Sequence, residues 1–295
     1  MKLGIALEGV RPAAELARLA ARIEALGFDS LWAPDHVAFS QPICDPLQVL
    51  TACAAATTRL RLGTCVYLLP LRHPTHVAKM VASVDWLSGG RLTLGVGVGG
   101  EFPAEFAACE VPLRERGARA DESIAVLRAL WAGTEPPPGG SFFRVPPTSL
   151  APLPPQIGGP PIWVGGRSEA AIRRAARLGD GYLGYFLDAA GIRTRMERIR
   201  ELRGAEPIVC ALMAFGRIES DAQRALANTS RRLTAMYGAG MESAAPRFGV
   251  VGTADACRAR VRELAAAGVE HLVLSPIIEG DLEDQLERLA TLRLD

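Results

Sequence analysis

Lysine is almost missing from this chain: of its 33 basic residues only Lys2 and Lys79 are lysines, and the rest are arginines. Against 32 acidic residues they leave a net charge of +1 at pH 7, and the arginines are scattered along helix-like segments rather than gathered in a patch. That balance argues against nucleic acid or an anionic membrane as a main partner, since both call for a concentrated positive field. Cys-x-x-Cys pairs are also absent. Cys44, Cys53, Cys65, Cys109, Cys210 and Cys257 stand singly, mostly inside apolar runs, so reduced thiols of a cytosolic protein are expected rather than a disulfide framework. No apolar run has the length of a membrane span. Residues 1–8 are too few for a signal peptide, and the uncharged stretch 145–166 is broken by proline and glycine. The expectation is a soluble, cytoplasmic protein.

What is present is a large apolar share, 49% of 295 residues, enough for two ordinary domains or one α/β barrel. Strand-like and helix-like runs alternate throughout. The strands read as 3–7, 30–33, 62–69, 92–98, 161–164, 181–186, 208–215 and 271–275. Helical patterns cover 12–26, 46–57, 75–87, 119–131, 168–178, 190–202, 221–237, 254–267 and 284–292. Eight βα units with no shift in composition predict a (β/α)8 TIM barrel forming a single domain over 1–295. A Pro/Gly-rich insertion at 134–161 is expected to be ordered and extended, and 238–253 is a second long connection. Parallel strands carry function at their carboxyl ends, which directs attention to the residues there.

Asp35-His36 follows the second strand, and Glu101 ends the fourth at the same barrel mouth. A histidine there can exchange a proton near neutral pH, and a neighbouring acid can orient it or contact a ligand. Gly95, Gly97 and Gly100 match a G-x-G-x-x-G spacing, but Glu101-Phe102-Pro103 follows where a dinucleotide fold needs a helix. These glycines are therefore read as a place where backbone approaches a flat ligand closely. Gly165-Gly166-Arg167-Ser168 opens a helix after the fifth strand, where free N–H groups, a hydroxyl and the helix dipole suit a phosphate. His73-Pro74-Thr75-His76 has no ligand partner at a suitable spacing, so it is read as a helix start and no metal site is expected.

Arg72-His73-Pro74, Leu87-Ser88-Gly89-Gly90-Arg91-Leu92 with Gly95 to Gly100, and Pro161-Ile162-Trp163-Val164-Gly165-Gly166 resemble signature stretches of the luciferase-like flavin and deazaflavin oxidoreductases. Arg177 to Gly181 and Gly268 to Leu274 continue the match in family order. The Asp-His and Arg-His-Pro groups look most like the branch that uses coenzyme F420, a deazaflavin. The resemblance implies a hydride-transferring F420-dependent oxidoreductase acting on a small-molecule substrate, with the ring lying in the barrel mouth. It implies that Asp35 contacts the cofactor and that His36 and Glu101 act as acid and base. A cis peptide at Cys65-Val66 would prop the ring, Gly99-Gly100 would offer it backbone, and Gly165, Gly166 and Ser168 would hold the phosphate. A homodimer joined through the helices at 46–57 and 75–87 is also implied. An FMN-dependent monooxygenase on the same fold is the alternative, and a flavin-binding protein without turnover a third. The branch's sugar-phosphate dehydrogenases carry tryptophan where this chain has Ser40, and their phosphate-binding lysines have no counterpart, so a different substrate is expected. Its pocket is expected to be built by the loops after Phe39, Phe102 and Pro136.

Overall fold

The computed structural model describes residues 1–294. Its strands are β1 (Lys2–Ala6), β2 (Ser30–Ala33), β3 (Arg61–Thr64), β4 (Tyr67–Leu68), β5 (Leu92–Gly97), β6 (Ile162–Gly165), β7 (Gly181–Tyr185), β8 (Val209–Ile218), β9 (Val250–Gly252) and β10 (His271–Pro276). The helices are α1 (Ala13–Ala25), α2 (Pro46–Ala55), α3 (Pro74–Ser88), α4 (Pro103–Ala108), α5 (Arg116–Trp131), α6 (Glu169–Leu178), α7 (Ala189–Arg203), α8 (Ala222–Tyr237), α9 (Ala244–Phe248), α10 (Ala254–Ala266) and α11 (Leu282–Ala290).

Every strand pairing is parallel. The order β1-β2-β3-β5-β6-β7-β8-β10 closes because β10 pairs with both β1 and β8. This is the (β/α)8 barrel that the alternation predicts, and its eight strands are the eight apolar runs. Two short strands stand outside the count. β4 continues β3 along β5 after a cis peptide at Cys65-Val66, and β9 pairs with the tail of β8 beyond Phe215. β9, α4 and α9 are too short for a periodic pattern, so the sequence reading passes over them.

Closure makes both sheet faces buried. Leu3, Ile5, Leu31, Leu62, Leu94 and Leu272 face the helices in one continuous core. The barrel interior is filled instead by Trp32, Trp163, Leu183, Ala211 and Val273, with the two indoles 5.1 Å apart. Below them, Ser30 Oγ accepts from Trp32 Nε1 at 2.7 Å and lies 2.7 Å from His271 Nε2. This plug fills the amino-terminal end of the barrel, and the barrel opens at the carboxyl end of its strands.

Local chemistry fixes the helix starts. Asp45 caps α2 ahead of Pro46, and His73 caps α3 ahead of Pro74, its Nδ1 accepting from Thr75 N at 3.3 Å. Between α5 and β6 the Pro/Gly-rich excursion has neither strand nor helix and is tied down by side chains. The Glu122 carboxylate accepts from the N–H groups of Ser141, Phe142 and Phe143, and Gln156 donates to Asp85 at 2.7 Å. Among the described residues no helix is long and apolar enough to cross a membrane. Cys53, Cys210 and Cys257 are buried, and Cys44, Cys65 and Cys109 half-buried.

Candidate active site

The carboxyl ends of the strands surround a cavity of about 400 Å³. Asp35, His36, Cys65, Val66, Gly99, Gly100, Glu101, Gly165, Gly166 and Ser168 all line it. Ten residues spread over 134 positions of sequence meet here because the ends of four successive barrel strands, β2, β3, β5 and β6, open on one side.

His36 is held on three sides. Its Nδ1 lies 2.8 Å from Glu105 Oε1, its ring stacks on Phe39 at 4.1 Å, and Phe102 meets it edge-on at 5.2 Å. Glu105 is almost fully buried and also accepts from Ala38 N at 3.2 Å. With Nδ1 donating to this carboxylate, Nε2 is the ring nitrogen left for exchange. The partner of His36 is thus Glu105, not Glu101. Glu101 is half exposed on the other flank, near Arg167 Nη2 at 3.5 Å and the Tyr185 hydroxyl at 3.4 Å. Among the described residues His36 and Glu101 make no hydrogen bond or ion pair with each other.

Asp35 is buried and fully engaged. Arg72 binds it through Nη1 at 2.6 Å and Nη2 at 2.8 Å, and Leu68 N donates to Oδ2 at 2.8 Å. The guanidinium lies 4.2 Å over the Tyr67 ring and reaches Asp45 at 3.3 Å. Asp35 therefore meets the cavity as a carboxylate already neutralised, and it joins the end of β2 to the chain after β4.

The glycines of β5 serve a purpose the sequence reading did not give them. A Cβ on Gly97 would come within 2.3 Å of Val66 Cγ2, and one on Gly165 within 2.6 Å of Val66 Cγ1. A Cβ on Gly95 would lie 2.0 Å from the Thr64 carbonyl. These positions make room for the chain around Cys65-Val66, and Gly97 and Gly165 line the cavity as well. Gly99 and Gly100, with φ of +60° and +114°, present bare backbone to the cavity in conformations that favour glycine, as does Gly166 at +133°.

At the far end the α6 amino terminus faces the cavity. Ser168 caps it, its Oγ accepting from Ala171 N at 3.2 Å, and Tyr182 donates to the Gly166 carbonyl at 2.8 Å. Gly166 lies so close to the helix that a Cβ would fall 2.7 Å from that of Ala171. First-turn N–H groups, the serine hydroxyl and the dipole fit a phosphate, and the bare wall beside them fits a flat ring.

Three further lining groups escaped the sequence reading. Glu8, after β1, accepts from Ser275 Oγ at 2.8 Å, and burial raises its carboxyl above the ordinary range. Burial likewise pushes the phenols of Tyr185 and Tyr237 upward. Glu105 had a local signal, a proline-started helix one turn beyond Glu101. Of the expected pocket loops, those after Phe39 and Phe102 reach the barrel mouth, but Pro136 lines a separate hollow against α5. Glu122 pins the excursion there, away from the strand ends.

An uncharacterized protein of Mycobacterium tuberculosis is 34% identical over 205 residues, which is 63% of this chain and 70% of that protein. The F420-dependent glucose-6-phosphate dehydrogenase of Mycobacterium avium is 34% identical over 180 residues, 57% of this chain and 52% of that enzyme. The match thus spans about half the length of that relative. A solved monooxygenase from Streptomyces bottropensis superimposes with a TM-score of 0.85 at 27% identity, covering 99% of this chain and 97% of that one. The family model described as luciferase-like monooxygenase matches residues 1–271. With that match running from β1 to the first residue of β10, the chain belongs to the luciferase-like monooxygenase family.

Proposed function

We propose that the protein is an F420-dependent oxidoreductase that transfers a hydride between the deazaflavin and a small organic substrate. The observation that carries this reading is the meeting, in one cavity, of His36 oriented by Glu105 with the phosphate-suited start of α6. The 34% identity to an F420-dependent dehydrogenase supports the same choice of cofactor. When bound, F420 supplies a carbon that gives or takes hydride and reacts poorly with oxygen.

On this reading Gly165, Gly166 and Ser168 hold the phosphate, Gly99 and Gly100 offer backbone to the ring, and Cys65 and Val66 support it from behind. Asp35 contacts the cofactor while Arg72 balances its charge. Hydride leaving an alcohol carbon must be matched by a proton leaving its oxygen, and His36 Nε2 takes that proton, with Glu101 as the second acid–base group. No lysine lines the barrel mouth, so the substrate is not recognised as a sugar phosphate is by lysines. As a homodimer the protein would use α2 and α3, where Trp86 and Leu87 are 54% and 64% exposed.

An FMN-dependent monooxygenase is the second reading, and the Streptomyces monooxygenase that matches nearly the whole chain supports its oxygenase part. Titrating the purified apoprotein with F420 and with FMN separates the two, since the cofactors absorb at different wavelengths. Tight F420 binding is expected; tight FMN binding without F420 affinity would transfer the assignment.

A further inference from the structure

A second cavity, about 560 Å³, opens beside the first and shares Ala6, Glu8, Pro34, His36 and Tyr237 with it. His36 is thus a common wall, exposed to both spaces. The new walls come from the loop after β1, the segment after Phe39, the last turns of α8 and the loop after β10. Most of that lining is apolar, with Ile43, Met236, Ile277 and Leu282 inside, and Val10 59% exposed at the rim. Its volume lies in the range of small-molecule sites, about 300–1,000 Å³.

The charged side chains around this chamber are mostly spent. Arg11 pairs with Glu15 at 3.3 Å and also bonds the Glu8 carbonyl. Glu279 pairs with Arg231 at 3.1 Å, and Glu8 accepts from Ser275. Arg232 is different. Its one hydrogen bond is to Gln41 Oε1 at a long 3.4 Å, and among the described residues it makes no ion pair. The chamber therefore offers an apolar body, a proton-exchanging imidazole on one wall and, on another, a guanidinium that acts on the Glu8 carboxyl through space but is bonded to no carboxylate among the described residues. A guanidinium in that position recognises a carboxylate through two parallel hydrogen bonds.

Building on the oxidoreductase reading, we propose that this chamber receives the substrate, and that the substrate is an apolar ketone or aldehyde, or its alcohol, bearing a carboxylate that pairs with Arg232. The reacting carbon then lies against His36. Reduction adds hydride to the carbonyl carbon and a proton to its oxygen, the electron pair coming from the reduced deazaflavin. Oxidation of the alcohol is the reverse.

The test measures binding by calorimetry on cofactor-free protein, so it does not depend on which cofactor is right. The probes are benzoylpropionate, a short series of medium-chain oxo acids, and the methyl ester of each. The acids are expected to bind at least about tenfold more tightly than their esters. Arg232→Met should erase that difference, Arg232→Lys should keep part of it, and F420 affinity should stay within a few-fold in both. Equal affinity for acids and esters, no detectable binding of either, or a preference that survives Arg232→Met would each overturn the proposal. Should Arg232→Met fail to fold, the wild-type acid–ester ratio and the lysine variant decide the matter. Loss of F420 binding with the acid preference intact would sink the cofactor reading and leave this one standing.

Discussion

His36 Nδ1 and Glu105 Oε1 face each other at 2.8 Å across the junction of β2 and α4, and the carboxylate is almost wholly buried. A buried acceptor of this kind fixes both the ring orientation and the tautomer. His36→Ala is expected to lower turnover by about 10²–10⁴-fold while cofactor affinity stays within a few-fold. Glu105→Gln should cost less and shift the pH profile of turnover, because Glu105 acts through the ring. Full activity in His36→Ala with an identified substrate would make the histidine structural.

Asp35→Ala strips the buried partner from Arg72, whose side chain is only 18% exposed. Removing one member of a buried pair costs on the order of 3–5 kcal/mol, and the neighbouring Asp45 compensates part of that. Cofactor affinity should fall before the chemical step does. Urea unfolding and F420 titration check the two effects, and wild-type values in both would remove Asp35 from the site.

The eight strands were legible because parallel strands buried on both faces read as short apolar runs, and the helix starts because Asp45-Pro46 and His73-Pro74 are local signals. All ten candidate residues reached one cavity for the same reason: each lies at or just beyond the carboxyl end of a barrel strand. Glu105 was missed because α4 has only six residues and no pattern of its own. Arg232 was missed because it lies in the middle of a regular amphipathic helix. Its distinction, a long hydrogen bond to Gln41 across 191 residues and no ion pair among the described residues, exists only in three dimensions.

His271 gives the fold a pH signature. Burial pulls its imidazole from 6.5 down to about 4, so between those values the unfolded chain binds a proton that the folded one does not. Stability should therefore fall as pH drops from about 6.5 to about 4, by roughly 3 kcal/mol in all, and be flat with respect to this group above that window. Denaturant unfolding at a series of pH values reads the slope, and His271→Gln should flatten it. An unchanged slope in that variant would assign the effect elsewhere.

Trp86 and Leu87 close α3 with apolar surface in water, beside a Leu153 that is 43% exposed. If two copies meet there, Leu87→Asp should shift the native protein from dimer to monomer in sedimentation at micromolar concentration. A monomeric wild type would rule out that association.

Val66 lies in a notch cut by Gly97 on one side and Gly165 on the other, contributed by adjacent strands. The three positions divide one fixed volume, so none can grow unless another shrinks. Libraries that vary them one at a time would meet mostly dead ends, whereas joint changes that conserve the total could reshape this wall of the cavity. Distance in sequence hides this bond: residues 66, 97 and 165 should drift together or not at all.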